Sequence, residues 1–355
     1  MKRETVLVIG AGASFGARSV DPRPPLGGKL ADYLLRWFDA NAPSPDDHEW
    51  RFRMSSPLDG AAPAASLFDD DPDIRPILVR AAERAKASAT AFEEIMEELL
   101  RDRDRRALEK VNRVICVSLL GGRVTAFAPG VDLYDQLFLR LGPSLRSIIT
   151  PNYDLLAEEA LDRVGLSHRY RADHLGNAKA DIVLDKFHGS ANWFQPSGVG
   201  RSHDPDAAAR MAKPLKAVAQ VNVLSFYNDH PVYAPPAHSR QNAFFELKRG
   251  MVPVLVTYGP GKDAMSGRPH LDRVRAECIA DLEQNVPSRL IALGISPPRG
   301  AGDDDTWESL CKVFSTLDCT KEYWSGSPEE RTKMAAYGFD GRDGWFEDLL
   351  ASLPP

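Results

Sequence analysis

A chain of 355 residues with 43% hydrophobic content is long enough for one large or two medium domains around a packed core, which excludes disorder as the starting expectation. Lys and Arg total 44 against 50 Asp and Glu, a net charge of −6, so no overall basic field exists to hold a nucleic-acid backbone, and only a local basic patch remains open. The four cysteines, Cys116, Cys278, Cys311 and Cys319, are scattered and form no C-x-x-C pair for a zinc ribbon or a thioredoxin-like site; they read as free thiols in a reduced, cytoplasmic chain.

Lys2 and Arg3 precede the uncharged stretch Thr5 to Ala17, which has the outline of a targeting peptide but is too short to span a bilayer. Its composition points elsewhere: Val6-Leu7-Val8-Ile9 runs into Gly10-Ala11-Gly12, a strand entering a tight turn. No membrane span is expected further on, because no segment holds the roughly 18 uninterrupted apolar residues it needs. Leu30 to Phe38 reads as helical, and residues 37–72, with Pro43, Pro45, Pro57, Pro63, Pro72 and acidic runs, read as an exposed loop or flap. Residues 70–142 read as a helical insertion; within it Phe92, Ile95, Met96, Leu99 and Leu100 share one helix face, with Glu93, Glu94, Glu97 and Glu98 opposite.

Four further strands are predicted, at Ser147 to Thr150, Ile182 to Phe187, Val252 to Thr257 and Leu290 to Gly294. An amphipathic helix follows the first of these, through Leu155, Leu156, Ala160, Leu161 and Val164. Residues 196–248, with Pro231, Pro235 and Pro236, read as a second insertion or lid. Trp345, Phe346, Leu349 and Leu350 suggest a terminal amphipathic helix that docks on the core or joins protomers. Strands separated by helices require parallel crossovers, so the expected fold is α/β: a single domain over 1–355 with a Rossmann-like, doubly wound, mostly parallel sheet, a large helical insertion and no zinc module.

Four strand ends carry small or polar residues where open α/β sheets bind ligands. The turn Gly10-Ala11-Gly12-Ala13-Ser14 can place backbone N–H groups against a phosphate, or its glycines can serve tight packing alone. A dehydrogenase site is not expected, since Gly16 falls one place late for G-x-G-x-x-G and the helical stretch Leu30 to Phe38 replaces the strand that would end in an acidic ribose anchor. At Thr150-Pro151-Asn152-Tyr153-Asp154, Asn152 and Asp154 can hydrogen-bond ribose hydroxyls or a carboxamide, or merely cap the next helix. His188 leads His188-Gly189-Ser190-Ala191-Asn192-Trp193 and stands where a base can work, with a structural histidine as the alternative. Gly294 and Ser296 can face an adenosine, and Asp303-Asp304-Asp305 can bind or simply cap a helix. A pocket shared by all these ends is the economical expectation.

Gly10-Ala11-Gly12-Ala13-Ser14, Thr150-Pro151-Asn152-Tyr153-Asp154, His188-Gly189-Ser190 and Gly294-Ile295-Ser296 together resemble the ordered signatures of the sirtuin-like superfamily. Lys262 and Asp304-Asp305 look like further marks of its bacterial branch found in anti-phage defence. The resemblance implies that Asn152 holds the nicotinamide ribose and positions a water, that Asp154 contacts the carboxamide, and that His188 acts as a base on the ribose hydroxyls. It implies a phosphate cradle of Ala11, Gly12 and Ser14, with Gly10, Ala13, Thr150, Gly189 and Ser190 also lining the cofactor site, and Gly294 and Ser296 on the adenosine side. The four-cysteine zinc module of the protein deacylases is missing, and their phenylalanine-arginine pair after the glycine turn has no match, although Arg18 and Arg23 are near.

The activity so implied is NAD hydrolysis to nicotinamide and ADP-ribose, with NAD as substrate, no metal, and NAD depletion as a defence outcome. Restraint of such an activity implies a homo-oligomer or a separately encoded ATPase or nucleic-acid-sensing partner. A non-catalytic NAD or ADP-ribose sensor is the alternative, and an ADP-ribosyl transferase or deacylase a further one.

Overall fold

The computed structural model of the chain describes residues 4–16, 20–21, 25, 29–41, 74–87, 94–96, 98–99, 102, 105–120, 123–124, 130, 132–171, 180–196, 224–227, 230–233, 251–255, 268–298 and 305–354. Its centre is a seven-stranded sheet made of β1 (Thr5–Ile9), β4 (Leu145–Thr150), β5 (His168–Tyr170), β6 (Ile182–Lys186), β11 (Arg289–Leu293), β12 (Thr320–Trp324) and β13 (Asp340–Arg342). The order is β13-β12-β11-β1-β4-β6-β5, with every adjacent pair parallel. β1 is buried along its whole length, as a central strand covered on both faces must be. This is the α/β, Rossmann-like, doubly wound architecture expected.

Helices α1 (Ala11–Gly16), α5 (Leu133–Leu141), α6 (Leu156–Arg163), α7 (Arg268–Gln284), α8 (Asp305–Thr316), α9 (Pro328–Ala335) and α10 (Phe346–Ser352) accompany this sheet. α5 begins where Asp132 Oδ1 accepts the N–H of Tyr134 at 2.9 Å, and α9 begins at Pro328 behind the Ser327 cap. The terminal helix takes the docking role: Phe346, Leu349 and Leu350 join the core of the sheet, and the Arg140 guanidinium of α5 donates to Leu350 O and Leu353 O. Trp345, just before it, is 58% exposed.

A second sheet, ordered β10-β7-β8-β9, consists of β7 (Gly189–Pro196), β8 (Leu224–Tyr227), β9 (His230–Tyr233) and β10 (Met251–Leu255). The strand predicted at 252–257 therefore belongs to this sheet as β10, antiparallel to β7, and not to the parallel one. Its apolar run shows that it is buried but not which partner buries it. The segment after His188 is the strand β7, and residues 224–227 and 230–233 of the proposed lid pair in the same sheet.

A separate apolar core covers this sheet. It joins α2 (Leu30–Asn41), α3 (Ile74–Ala85), α4 (Arg105–Leu120) and the helical residues 94–96 and 98–99 to Ala191, Phe194 and Leu255. Ile95, Met96 and Leu99 are buried there, as their spacing predicts. The short pair β2 (Val20–Asp21) and β3 (Arg123–Val124) ties the chain after α1 to the chain after α4. Leu155 belongs to this second core and Leu156 to the first, so the loop after β4 lies on the seam between them.

One surface feature of α6 gives a pH prediction. Asp162 is pushed up to about 7, first by partial burial and then by the nearby carboxylates Glu158 and Glu159. Because the folded state keeps this proton longer than the unfolded chain, stability falls as pH rises from about 4 to about 7 and the penalty is constant above that. Asp162→Asn is expected to raise the unfolding midpoint at pH 8 and to leave it unchanged near pH 4. An equal gain at both values would remove the titration as its cause.

Candidate functional site at the switch point

The chain adds β4, β5 and β6 on one side of β1 and then crosses to add β11, β12 and β13 on the other, so the crevice between the carboxyl ends of β1 and β11 is a topological switch point. There the backbone packs directly on backbone. Gly10 N–H donates to Leu293 O at 3.0 Å, Gly12 N–H to Gly294 O at 2.8 Å, and Ala13 N–H to Gly10 O at 3.0 Å. A Cβ on Gly10 would lie 2.4 Å from Gly294 O, and one on Gly294, whose φ is +63°, would lie 2.2 Å from Ala13 N. The amides of Gly12 and Ala13 thus serve the turn itself, and the tight-packing role of these glycines is met in full.

Gly294→Ala is therefore expected to cost about 2–5 kcal/mol, combining left-handed backbone strain with a contact that must open. Gly165 is the control, with φ +73° and nothing within 4 Å of an added Cβ. Gly165→Ala is expected to incur only the backbone part, about 1–2 kcal/mol, when the two variants are compared by chemical denaturation.

Asn152 is 9% exposed, and its side-chain nitrogen donates to Gly10 O at 2.9 Å and to Ser14 Oγ at 2.9 Å. A peptide carbonyl only accepts, so the amide nitrogen must face Gly10, and both of its hydrogens are engaged. Oδ1 is left as an acceptor with no hydrogen-bond partner among the described residues. Thr150 is buried, and its Oγ1 accepts the backbone N–H of Asn152 at 3.0 Å, which shapes the loop.

Asp154 Oδ1 accepts the N–H of Leu156, the first residue of α6, at 3.1 Å, from one place before the N-cap Leu155. Burial pushes the Asp154 pKa up, while the Lys186 ammonium, the Leu156 N–H and the Ser14 hydroxyl pull it back.

Backbone ties on both sides bring His188 to the same place. Phe187 N–H donates to Thr150 O at 3.2 Å, and Ala191 N–H donates to Tyr153 O at 2.9 Å. The rings of Tyr153 and His188 lie 6.3 Å apart. The imidazole is 2% exposed at the point where the chain leaves the parallel sheet for β7, a corner made by Gly189 with φ +85°. Arg275 of α7 holds the same corner by donating to Phe187 O at 3.0 Å. Ser190 Oγ is fully buried and makes no hydrogen bond among the described residues. Ser296 is exposed, and its carbonyl accepts from Trp307 Nε1 at 3.0 Å. Ala11 and Ala13 lie in the first turn of α1. Lys262, Asp303, Asp304, Arg18 and Arg23 lie outside the described residues, and Asp305 begins α8.

Several contributors carry no motif. Beneath the loop, Lys186 and Glu158, each 1% exposed, form an ion pair at 2.7 Å, and Lys186 also donates to Asp154 O. Tyr170 OH donates to Glu158 Oε1 at 3.1 Å and accepts from Asn192 Nδ2 at 2.8 Å. Lys186 had a legible signal: a charge closing the central strand Ile182–Lys186 must find a partner. Tyr134, whose OH lies 3.2 Å from Ser14 Oγ, had none.

A scan against protein-family models and a search of curated proteins both return no match. Fold and site together define an α/β, Rossmann-like protein with small and polar residues at the carboxyl ends of β1, β4, β6 and β11. Among the described residues, no cluster of three or more His, Cys, Asp or Glu is disposed to hold a metal ion, and no helix is long and apolar enough to cross a membrane.

Proposed function

We propose that this chain is a cytoplasmic, sirtuin-like NAD glycohydrolase that releases nicotinamide and ADP-ribose, and that it serves anti-phage defence by depleting NAD. The observation that carries the reading is the fixed polarity of Asn152: with both amide hydrogens engaged, Oδ1 can only accept, which suits a ribose hydroxyl or an attacking water. The unpaired hydroxyl of Ser190 suits a polar ligand.

In the reaction, the bond between the nicotinamide nitrogen and C1′ of the ribose breaks with its electron pair going to nicotinamide, which leaves neutral without a general acid. Positive charge develops on the ribose, as in glycoside cleavage. Asn152 orients the sugar and a water; as the water oxygen bonds to C1′, its proton passes through a ribose hydroxyl to His188, the base on those hydroxyls. Restraint in the resting cell falls to a homo-oligomer or to a separately encoded ATPase or nucleic-acid-sensing partner.

The test is to incubate the purified chain with NAD and follow nicotinamide release, then repeat with His188→Ala and Asn152→Ala. Release by the wild type and by neither variant supports hydrolysis. Tight NAD binding with no release in any oligomeric state would replace hydrolase with sensor.

A further inference from the structure

We infer that Tyr134 is a positioning residue of this site, holding Ser14 Oγ where it accepts the second amide hydrogen of Asn152; the inference rests on the NAD reading above. Tyr134 lies on α5, fully buried, with its ring stacked on Phe138 at 5.7 Å and met edge-on by Phe346 of α10 at 5.3 Å. Its hydroxyl reaches Ser14 Oγ, the atom that also receives Asn152 Nδ2.

Asn152 Nδ2–H donates to Ser14 Oγ, and the bond between Ser14 Oγ and Tyr134 OH can run with either hydroxyl as donor. In both arrangements the phenol fixes the rotation of the Ser14 hydroxyl and keeps a lone pair facing Asn152. Burial holds the phenol well above its ordinary pKa, so it stays protonated at working pH. Without it, Ser14 is free to rotate its hydrogen toward Asn152 Nδ2, and the hold on the amide loosens. The ring contact with Phe346 seats this donor against the terminal helix, and Gly16 keeps the approach open, since a Cβ there would lie 3.3 Å from the Phe346 ring.

Tyr134→Phe keeps the ring and its packing and removes only the hydroxyl. The expected result is a roughly tenfold lower kcat for nicotinamide release with KM for NAD unchanged, the size of one hydrogen bond. In a double-mutant cycle, adding Tyr134→Phe to Ser14→Ala is expected to lower kcat no further. A wild-type kcat in Tyr134→Phe, or independent losses that multiply, would overturn the assignment and leave the NAD reading intact. The same cycle read as thermal unfolding midpoints needs no turnover. Non-additive midpoints support the Tyr134–Ser14 link, and additive ones overturn it. Non-additive midpoints in a chain that releases no nicotinamide would support the link and overturn the NAD reading alone. Should Tyr134→Phe fold poorly, Ser14→Ala breaks the link from its other side and is expected to show the same loss of kcat at constant KM; a wild-type kcat there overturns the proposal.

Discussion

Lys186→Met is expected to destabilise the protein by about 3–5 kcal/mol, the usual cost of leaving one member of a buried ion pair without its partner. Lys186 and Glu158 are each 1% exposed and 2.7 Å apart, so water cannot replace the lost ammonium. The hydroxyl of Tyr170 still donates to Glu158 Oε1, but a neutral donor does not offset a full buried charge. One outcome identifies the mechanism in denaturation experiments. Adding Glu158→Gln to Lys186→Met should recover much of the loss, because it removes the stranded charge while keeping an acceptor for Tyr170. A deficit independent of Glu158 would place the cost in packing instead. Because Lys186 also donates to Asp154 O, nicotinamide release should fall in the single variant even at temperatures where it remains folded.

Asn152→Asp should be as damaging as Asn152→Ala, each lowering nicotinamide release by about 10²–10³-fold, the loss typical of removing a preorganised polar group at a reacting centre. Aspartate matches asparagine in size and keeps acceptor oxygens, so a site needing only an acceptor at this position would tolerate it. Here the amide hydrogens are bound to Gly10 O and Ser14 Oγ. A carboxylate would set an oxygen against the Gly10 carbonyl, repelling it, and would take from Ser14 Oγ the amide hydrogen it accepts. The side chain should swing out of place. Substantial activity in Asn152→Asp, measured as kcat for nicotinamide release, would show that the outward atom is not held by these two bonds.

The carboxyl ends of β1, β4, β6 and β11 were legible because each strand is a short apolar run stopped by glycine, proline or a polar group, and burial in a parallel sheet demands that pattern. The helical character of Leu30 to Phe38 and the buried face of Ile95, Met96 and Leu99 followed from periodicity in the same way. β12 and β13 were not legible: Thr320 and all of β13 are exposed, so the edge of the sheet carries little apolar signal. β5 is only three residues long and ends in a tyrosine used for a hydrogen bond.

The sequence by itself therefore determined the α/β class and the strand ends that bear Gly10, Asn152, His188 and Gly294. Only the tertiary structure decided that Leu255 belongs to a second sheet, that Lys186 is paired with Glu158, and that Tyr134 reaches Ser14. It alone decided which way Asn152 points. Periodicity encodes how deeply a residue is buried, whereas the direction of a side-chain amide depends on an acceptor such as Gly10 O, 142 positions away in the chain.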